Sequence, residues 1–282
     1  MQKLTEQRFT GERALFGSRD LRISDSIFAD GESPLKESEN IKVSHSSFQW
    51  KYPFWYGKNI TVKESTFTEG ARAGIWYTDS FEMEDCLFEA PKGFRRMKGL
   101  SLRRVSIPNA EETLWNCTNV TLQDVNAKGD YFGMNCSNVK ICGFSLAGNY
   151  SFDGCQNLEV HNAKMISKDA FWNCKNVTVY DSQIFGEYIG WNTENLTLIN
   201  CTVESLQGFC YVKNLVLKNC KLLNTTLAFE YSTVDVEVTT EIESVKNPAA
   251  GIIRAKEIGE LILDEEIIDP NKIRIITEKK PR

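Results

Sequence analysis

The chain has 282 residues, of which 41% are hydrophobic and 25% are charged, and its formal net charge is −5. These proportions are typical of a folded globular protein and exclude an intrinsically disordered one. Lysine and arginine are scattered along the chain, so no basic stripe indicates nucleic-acid binding. No apolar run approaches the roughly 18 residues that cross a bilayer, so we expect no membrane partner.

The cysteine pattern and the first residues predict a reducing compartment. Residues 1–16 lack the charged, apolar and small-residue regions of a secretory signal peptide. The nine cysteines form no CxxC pair, so neither a disulfide framework nor a zinc site is indicated. We therefore predict a cytoplasmic protein without a metal or a cofactor.

An internal repeat dominates the sequence from residue 20 onward. Each copy has a polar residue, usually Asn, then an apolar–any–apolar triplet, a short polar turn and a second apolar pair. The copies begin, 19 to 21 residues apart, at Asp20, Asn40, Asn59, Ser80, Gly99, Asn119, Asn138, Asn157, Asn176, Asn195 and Asn214. Each triplet predicts a short strand that buries two side chains only when neighbouring copies stack on it. The repeat thus predicts an all-β, single-stranded right-handed parallel β-helix, a solenoid of about 11 coils.

Three segments follow in chain order, and we expect them to form one domain. Residues 1–19 precede the first copy and contain Phe9, Leu15 and Phe16, which predicts an N-terminal cap. Residues 20–233 hold the coils. Residues 234–282 lose the repeat and predict capping strands, which cover the sheet edge that an open coil would leave exposed.

Equivalent positions of the repeat form columns that run across the coils. An internal apolar column is predicted at Phe28, Phe48, Phe67, Phe88, Ile107, Leu146, Met165 and Ile184. Two further columns contain stacked cysteines, which we interpret as small core side chains. The Asn that starts most copies tolerates the left-handed backbone region and predicts an asparagine ladder of stacked side-chain amides.

The repeat resembles that of the pectin-lyase-like right-handed parallel β-helix superfamily. More specifically, the chain is similar to the domain-of-unknown-function 3737 family in its length, in FTGERALF at residues 9–16 and in YPFWYGKN at residues 52–59. This resemblance implies the fold and no activity. The catalytic motifs of polygalacturonase-like and pectate-lyase-like enzymes are missing, and fold by itself does not give function.

The most informative column lies four residues before each motif start. It contains Trp55, Trp76, Arg95, Trp115, Met134, Asp153, Trp172, Trp191 and Cys210. The preceding column is almost wholly apolar, so strand alternation predicts that the tryptophans point outward. Three residues further back, a second column contributes Tyr52, Glu112, Tyr131, Tyr150, Asp169, Tyr188 and Gln207. A tryptophan column packed in the core or at an interface stays an open alternative.

A surface of aromatic rings and carboxylates suits sugars, because rings stack on pyranose faces while carboxylates accept hydrogen bonds from hydroxyls. We therefore predict recognition of an oligo- or polysaccharide. The predicted binding residues are Trp55, Trp76, Trp115, Tyr131, Tyr150, Trp172, Tyr188 and Trp191.

Two alternatives of other classes remain open. One is a polysaccharide lyase or glycoside hydrolase with Asp153, Asp169, Glu112 and Arg95 as catalytic residues. The other is a non-catalytic scaffold in which the aromatic face contacts a second copy of the chain or another protein.

Overall fold

The apolar–any–apolar triplets form β-strands that stack in parallel, as the repeat predicts. Leu21, Ile41, Ile60 and Phe81 of four successive copies are register partners, and all four are buried. The structure is a computed structural model that describes residues 1–279. Over this range the chain is a parallel β-solenoid of about 15 turns without an α-helix. The predicted all-β, right-handed parallel β-helix class is confirmed.

The number of coils is larger than the predicted eleven, because both segments expected to be caps contain further turns. At the N-terminus Gln2–Thr5 pairs in parallel with the first predicted coil. Beyond residue 233, Thr233–Lys246, Ala250–Ile262 and Ile273–Thr277 continue the parallel stacking. A register shift interrupts the pairing of the first two of these strands, and the regular spacing of the repeat is lost there.

The chain forms two compact units, Met1–Leu146 and Ala147–Arg282. In the first unit a 3-10 helix spans Glu69–Ala71. Its strands are β1 (Gln2–Thr5), β2 (Arg8–Phe9), β3 (Arg19–Ser24), β4 (Ile27–Phe28), β5 (Glu39–Ser44), β6 (Ser47–Phe48), β7 (Phe54–Trp55), β8 (Lys58–Lys63), β9 (Thr66–Phe67), β10 (Ile75–Trp76), β11 (Asp79–Phe88), β12 (Lys98–Ile107), β13 (Thr118–Lys128) and β14 (Ser137–Ala147).

The second unit has the same strand-and-turn construction, with a 3-10 helix at Pro270–Lys272. Its strands are β15 (Gln156–Ile166), β16 (Lys175–Tyr180), β17 (Gln183–Phe185), β18 (Glu194–Ile199), β19 (Thr202–Leu206), β20 (Lys213–Thr226), β21 (Thr233–Lys246), β22 (Ala250–Ile262) and β23 (Ile273–Thr277). Among residues 1–279, no helix combines the length and the apolar character needed to cross a bilayer.

The core of the first unit contains the predicted phenylalanine stack. The ring centroids of Phe28 and Phe48, and of Phe48 and Phe67, are each 4.5 Å apart, and those of Phe67 and Phe88 are 5.1 Å apart. Phe9 extends the stack by one turn, at 4.7 Å from Phe28. Each such ring pair contributes about 0.5–1.5 kcal/mol beyond its buried area. The inward prediction for this column is confirmed, since Phe28, Phe48, Phe67 and Phe88 are each at most 3% exposed.

Side-chain amides link successive turns at the position that starts each repeat. In the second unit Asn195 donates to Asn176 at 2.8 Å and Asn214 donates to Asn195 at 2.9 Å. In the first unit Asn59 donates to Asn40 at 2.7 Å. These residues have positive φ, between 54° and 63°, a region in which Asn is favoured among non-glycine residues. The ladder thus explains why this position is usually Asn.

Candidate functional site

The tryptophan column lies at the corner of each turn, next to a buried column. Phe54, Ile75, Phe94, Phe152 and Phe171 precede the column residues and are each fully buried. All five tryptophans of the column are partly exposed, namely Trp55, Trp76, Trp115, Trp172 and Trp191. In β7 and β10, alternation of side chains along the strand turns Trp55 and Trp76 toward the surface, as predicted. Before Trp115, Trp172 and Trp191 the preceding residue has a positive φ, between 61° and 74°, so a turn of the backbone and not strand alternation brings these side chains to the surface.

In the first unit, short parallel pairings hold the column in register. β7 pairs with β10 so that Trp55 and Trp76 are partners, and isolated bridges align Trp76 with Arg95 and Arg95 with Trp115. The indoles of Trp55 and Trp76 stack with centroids 5.2 Å apart and an interplanar angle of 7°. The Arg95 guanidinium lies between two indoles, 5.1 Å from the ring centroid of Trp76 and 4.1 Å from that of Trp115. We call these four residues the closed stack.

The polar groups of the closed stack are also occupied. The indole N–H groups of Trp55, Trp76 and Trp115 donate to backbone carbonyls at 2.6–2.8 Å. Arg95 donates to the Glu112 carbonyl at 2.7 Å and to its carboxylate at 2.9 Å. Because the rings cover one another and their N–H groups are bonded, the closed stack presents mainly ring edges to solvent.

The ion pair of Arg95 and Glu112 changes the interpretation of both predicted catalytic residues. The Arg95 side chain is only 15% exposed, and the Lys92 Nζ lies 3.2 Å from the same Glu112 carboxylate oxygen that Arg95 contacts. The hydrogen bond from Arg95, followed by the contribution of Lys92, holds the pKa of Glu112 below its usual value. The structure thus brings Arg95 and Glu112 together as partners that neutralise each other.

A second aromatic strip accompanies the closed stack, and the sequence pattern did not single it out. Tyr56 and Tyr77 stack with centroids 4.8 Å apart and an interplanar angle of 5°, and Tyr56 is 50% exposed. Arg96 lies over Tyr77 at 5.5 Å from the ring centroid and donates to its hydroxyl at 3.2 Å. Each residue directly follows a member of the closed stack, which is the signal that would have located the strip.

In the second unit both columns contain aromatic and acidic residues. Backbone hydrogen bonds from Gly154 to Trp172 and from Asn173 to Trp191 place Asp153, Trp172 and Trp191 in register. Bonds from Tyr150 to Lys168 and from Asp169 to Glu187 align the other column. We call the six residues of these columns the open array: Tyr150, Asp153, Asp169, Trp172, Tyr188 and Trp191.

In the open array, Trp172 and Trp191 are less covered by other rings and cations than the tryptophans of the closed stack. Trp191 meets Tyr188 edge to face at 5.6 Å, and Tyr211 packs on it at 5.1 Å. Within residues 1–279, Trp172 has no ring stacked on it, no cation over it and no acceptor for its indole N–H. Its partly exposed ring and N–H group are therefore available to a ligand.

The two carboxylates of the open array are poorly compensated. Asp169 is 9% exposed, yet it has neither a hydrogen bond from another side chain nor an ion pair among the described residues. Asp153 accepts one hydrogen bond, from the Asn173 amide at 3.3 Å. Burial raises the pKa of both carboxyl groups, and the charges of Glu187 and Asp153 raise that of Asp169 further, against the opposing effect of Lys168.

The predicted site residues therefore fall into two groups. Trp55, Trp76, Trp115, Arg95 and Glu112 come together in the first unit, where the exposed Tyr131 accepts the indole N–H of Trp115 through its carbonyl. Tyr150, Asp153, Asp169, Trp172, Tyr188 and Trp191 come together in the second unit. Within residues 1–279, no group of three or more His, Cys, Asp or Glu side chains is arranged to hold a metal ion.

Comparison with known families gives a match over most of the chain. The model of the family described as "Protein of unknown function (DUF3737)" matches residues 2–276. No curated protein matches the chain.

Several solved structures share the β-solenoid architecture at low identity. PfbA, a surface adhesin of Streptococcus pneumoniae, is 8% identical, with 84% of each chain covered and a TM-score of 0.47. The A-module of the mannuronan C-5 epimerase AlgE6 of Azotobacter vinelandii is 8% identical, with 99% of this chain and 90% of that chain covered and a TM-score of 0.40. The tailspike protein of E. coli bacteriophage HK620 in complex with a pentasaccharide is 8% identical, with 98% and 70% covered and a TM-score of 0.43. At these values the likeness carries no argument about function.

Proposed function

The chain belongs to the DUF3737 family, and we propose that it recognises carbohydrate through the open array of its second unit. The observation that carries this proposal is the Trp172 side chain, a partly exposed indole that has no stacking partner and no acceptor for its N–H among the residues that the structure describes. Sugar-binding surfaces need an accessible ring for the apolar face of a pyranose and polar groups beside it for the hydroxyls. Trp172 supplies the ring, and Asp153 and Asp169 supply hydrogen-bond acceptors in neighbouring positions.

The closed stack is a poorer sugar surface despite having more tryptophans. The faces of Trp76 are covered by Trp55 and Arg95, and its indole N–H is bonded to the Lys92 carbonyl at 2.8 Å. A sugar would have to displace these contacts before it could stack. The proposal therefore assigns binding to Trp172, Tyr188 and Trp191, and a structural role to the tryptophans of the first unit.

Titration with neutral and uronic-acid oligosaccharides, followed by tryptophan fluorescence and by calorimetry, tests this proposal. We expect saturable binding that Trp172→Ala weakens at least about tenfold, as for a central aromatic contact. Trp76→Phe is the control, because it also removes one indole but keeps a ring in the closed stack; it should bind as the wild type does. No binding of any sugar, or equal loss in both variants, would rule out the open array as the site.

A second candidate function is hydrolysis of the bound saccharide by Asp153 and Asp169. The observation that favours it is the placement, in adjacent turns, of two carboxyl groups whose pKa burial raises, which is the direction of shift that a general acid needs. The ion pair of Arg95 with Glu112 favours hydrolysis over a lyase reaction, because it engages the arginine that elimination would use. New reducing ends that vanish in Asp169→Asn would support hydrolysis, whereas binding without product would exclude it.

A further inference from the structure

We propose that the open array is selective for saccharides that carry a free ammonium group, such as oligomers of unacetylated amino sugars. This inference rests on the proposed carbohydrate function and names its substrate class. It comes from comparing the same columns of the repeat in the two units. In the first unit the chain provides a cation between two indoles, whereas in the second unit no cation within residues 1–279 lies over Trp172 or pairs with Asp169.

The first unit shows how these columns accommodate a positive charge. The Arg95 guanidinium lies between the indoles of Trp76 and Trp115 and donates to the Glu112 carboxylate at 2.9 Å. Ring faces and a carboxylate attract a cation together, because the ring quadrupole and the formal charge act in the same direction. The geometry of the repeat therefore suits a cation held between aromatic rings beside an acid.

In the second unit the side chains that lack a cation partner, within residues 1–279, are Asp169 and Trp172. Asp169 is in register between Tyr150 and Tyr188, and side chains of adjacent turns in such a ladder lie about 4.8 Å apart. Asp169 is more than nine-tenths buried and has no side-chain partner among the described residues, an arrangement that is costly for an ionised carboxylate. Trp172 lies three residues further along the same turn, with no cation over its ring within residues 1–279.

The nearest lysine of the chain does not fill this place. The Lys168 Nζ lies 3.3 Å from a Glu187 carboxylate oxygen and 5.1 Å from the centroid of the Tyr188 ring, and it forms no ion pair with Asp169. The positive charge of Lys168 partly offsets the negative charge around Asp169, but the two side chains do not form an ion pair. With Asp153 and Glu187 also nearby, the local charge is negative, which favours an ammonium ligand and disfavours a uronate.

A sugar amine fits the site better than an isolated cation does. The ammonium would donate to Asp169, while the pyranose to which it is attached stacks on Trp172 and directs hydroxyls to Asp153. A neutral sugar of the same length would make the stacking contacts without the charge-assisted hydrogen bond. The difference between the two ligands therefore isolates the contribution of the ammonium group.

The test compares three tetrasaccharides by calorimetry at neutral pH and low salt: a glucosamine tetramer, its fully N-acetylated form and cellotetraose. We expect the glucosamine tetramer to bind about tenfold more tightly than the other two, from one charge-assisted hydrogen bond and the surrounding rings. The advantage should shrink as salt is added, and Asp169→Asn should reduce the affinity ratio to about one. Asn is close in size to Asp and tolerates the positive φ of 54° at this position.

The outcomes separate this inference from the proposed function. Equal binding of the three tetramers, or a preference that persists in Asp169→Asn, overturns the ammonium selectivity but leaves sugar recognition in place. Failure of all three to bind removes both. Trilysine serves as a probe of the alternative that a basic peptide is the ligand, and tighter binding of trilysine than of the glucosamine tetramer overturns the saccharide class.

Discussion

The closed stack and the open array occupy the same columns of one repeat, yet their side chains differ in how completely they satisfy one another. In the closed stack each tryptophan has a stacked neighbour, each indole N–H has an acceptor, and Glu112 has two cationic partners. In the open array, as far as residues 1–279 show, Trp172 lacks these contacts and the Asp169 carboxylate has no side-chain partner. The difference teaches that an outward aromatic column is not by itself a binding surface. A ring can bind a ligand only where its face and its N–H group are not already in contact with other residues of the chain.

The largest expected difference between the two regions is the cost of removing a ring. Trp76→Ala should lower the free energy of unfolding by about 3 kcal/mol, because it loses two stacking partners and one hydrogen bond. Trp172→Ala should cost only about 1 kcal/mol, mainly lost apolar burial. Urea unfolding of both variants provides the comparison. Equal costs would show that the open array is as tightly packed as the closed stack.

Removal of the cation from the closed stack should have the next largest effect. Arg95→Met keeps most of the side-chain length. It removes the cation from between the two indoles and leaves the Glu112 carboxylate without its main partner. We expect a loss of about 2 kcal/mol, less than for a fully buried pair because the Glu112 side chain is 28% exposed. Arg96→Met is the matched control, since Arg96 is exposed and pairs with no carboxylate among the described residues. It should cost no more than about 1 kcal/mol, from the loss of its exposed contacts with the ring and the hydroxyl of Tyr77.

The smallest effects, of opposite sign, are expected from neutralising one carboxylate in each region. Asp169→Asn should raise the stability at neutral pH by about 1 kcal/mol, because it removes a buried and unpaired charge. Glu112→Gln should lower it by about 1 kcal/mol, because it weakens a charge-assisted hydrogen bond. Thermal or urea unfolding of the two variants measures both changes. A stabilising effect of Glu112→Gln would contradict the conclusion that Arg95 and Lys92 stabilise the Glu112 carboxylate.

The pH dependence of the two variants should differ as well. The folded-state pKa of Asp169 is raised above its usual value of 3.8, because the charged carboxylate is less stable in the folded protein than in the unfolded chain. This cost to the free energy of folding disappears as the carboxylate is protonated, when the pH falls through the raised pKa. The advantage of Asp169→Asn should therefore be full above that folded pKa and fade as the pH approaches 3.8. The folded-state pKa of Glu112 is lowered by Arg95, so the stability it contributes is present above its usual value of 4.5 and is lost as the pH falls through the lowered one. The deficit of Glu112→Gln should shrink in that more acidic window.

Particular residues show how far the sequence predicts the molecule. The phenylalanine stack of Phe28, Phe48 and Phe67 and the buried cysteines follow from the period of the repeat. Strand alternation gives the outward direction of Trp55 and Trp76, whereas at Trp172 and Trp191 a turn with positive φ gives the same direction. The turns beyond residue 233 did not follow, because a register shift and strands of up to 14 residues hide the period there. The strip of Tyr56, Tyr77 and Arg96 was missed because its residues are not alike enough to form a visible column.

The sequence by itself determined the stacking of short parallel strands, because a period of about 19 residues with two inward positions per triplet has only one way to bury its apolar side chains. It also determined which columns face outward. Only the tertiary structure decided that Arg95 lies between two indoles and is bonded to Glu112, while Asp169 is left unpaired. The physical reason is that backbone register places residues side by side, whereas pairing also depends on side-chain length and direction across adjacent turns. Arg95 reaches the Glu112 carboxylate in the next turn, whereas Lys168 pairs with Glu187 rather than with its chain neighbour Asp169.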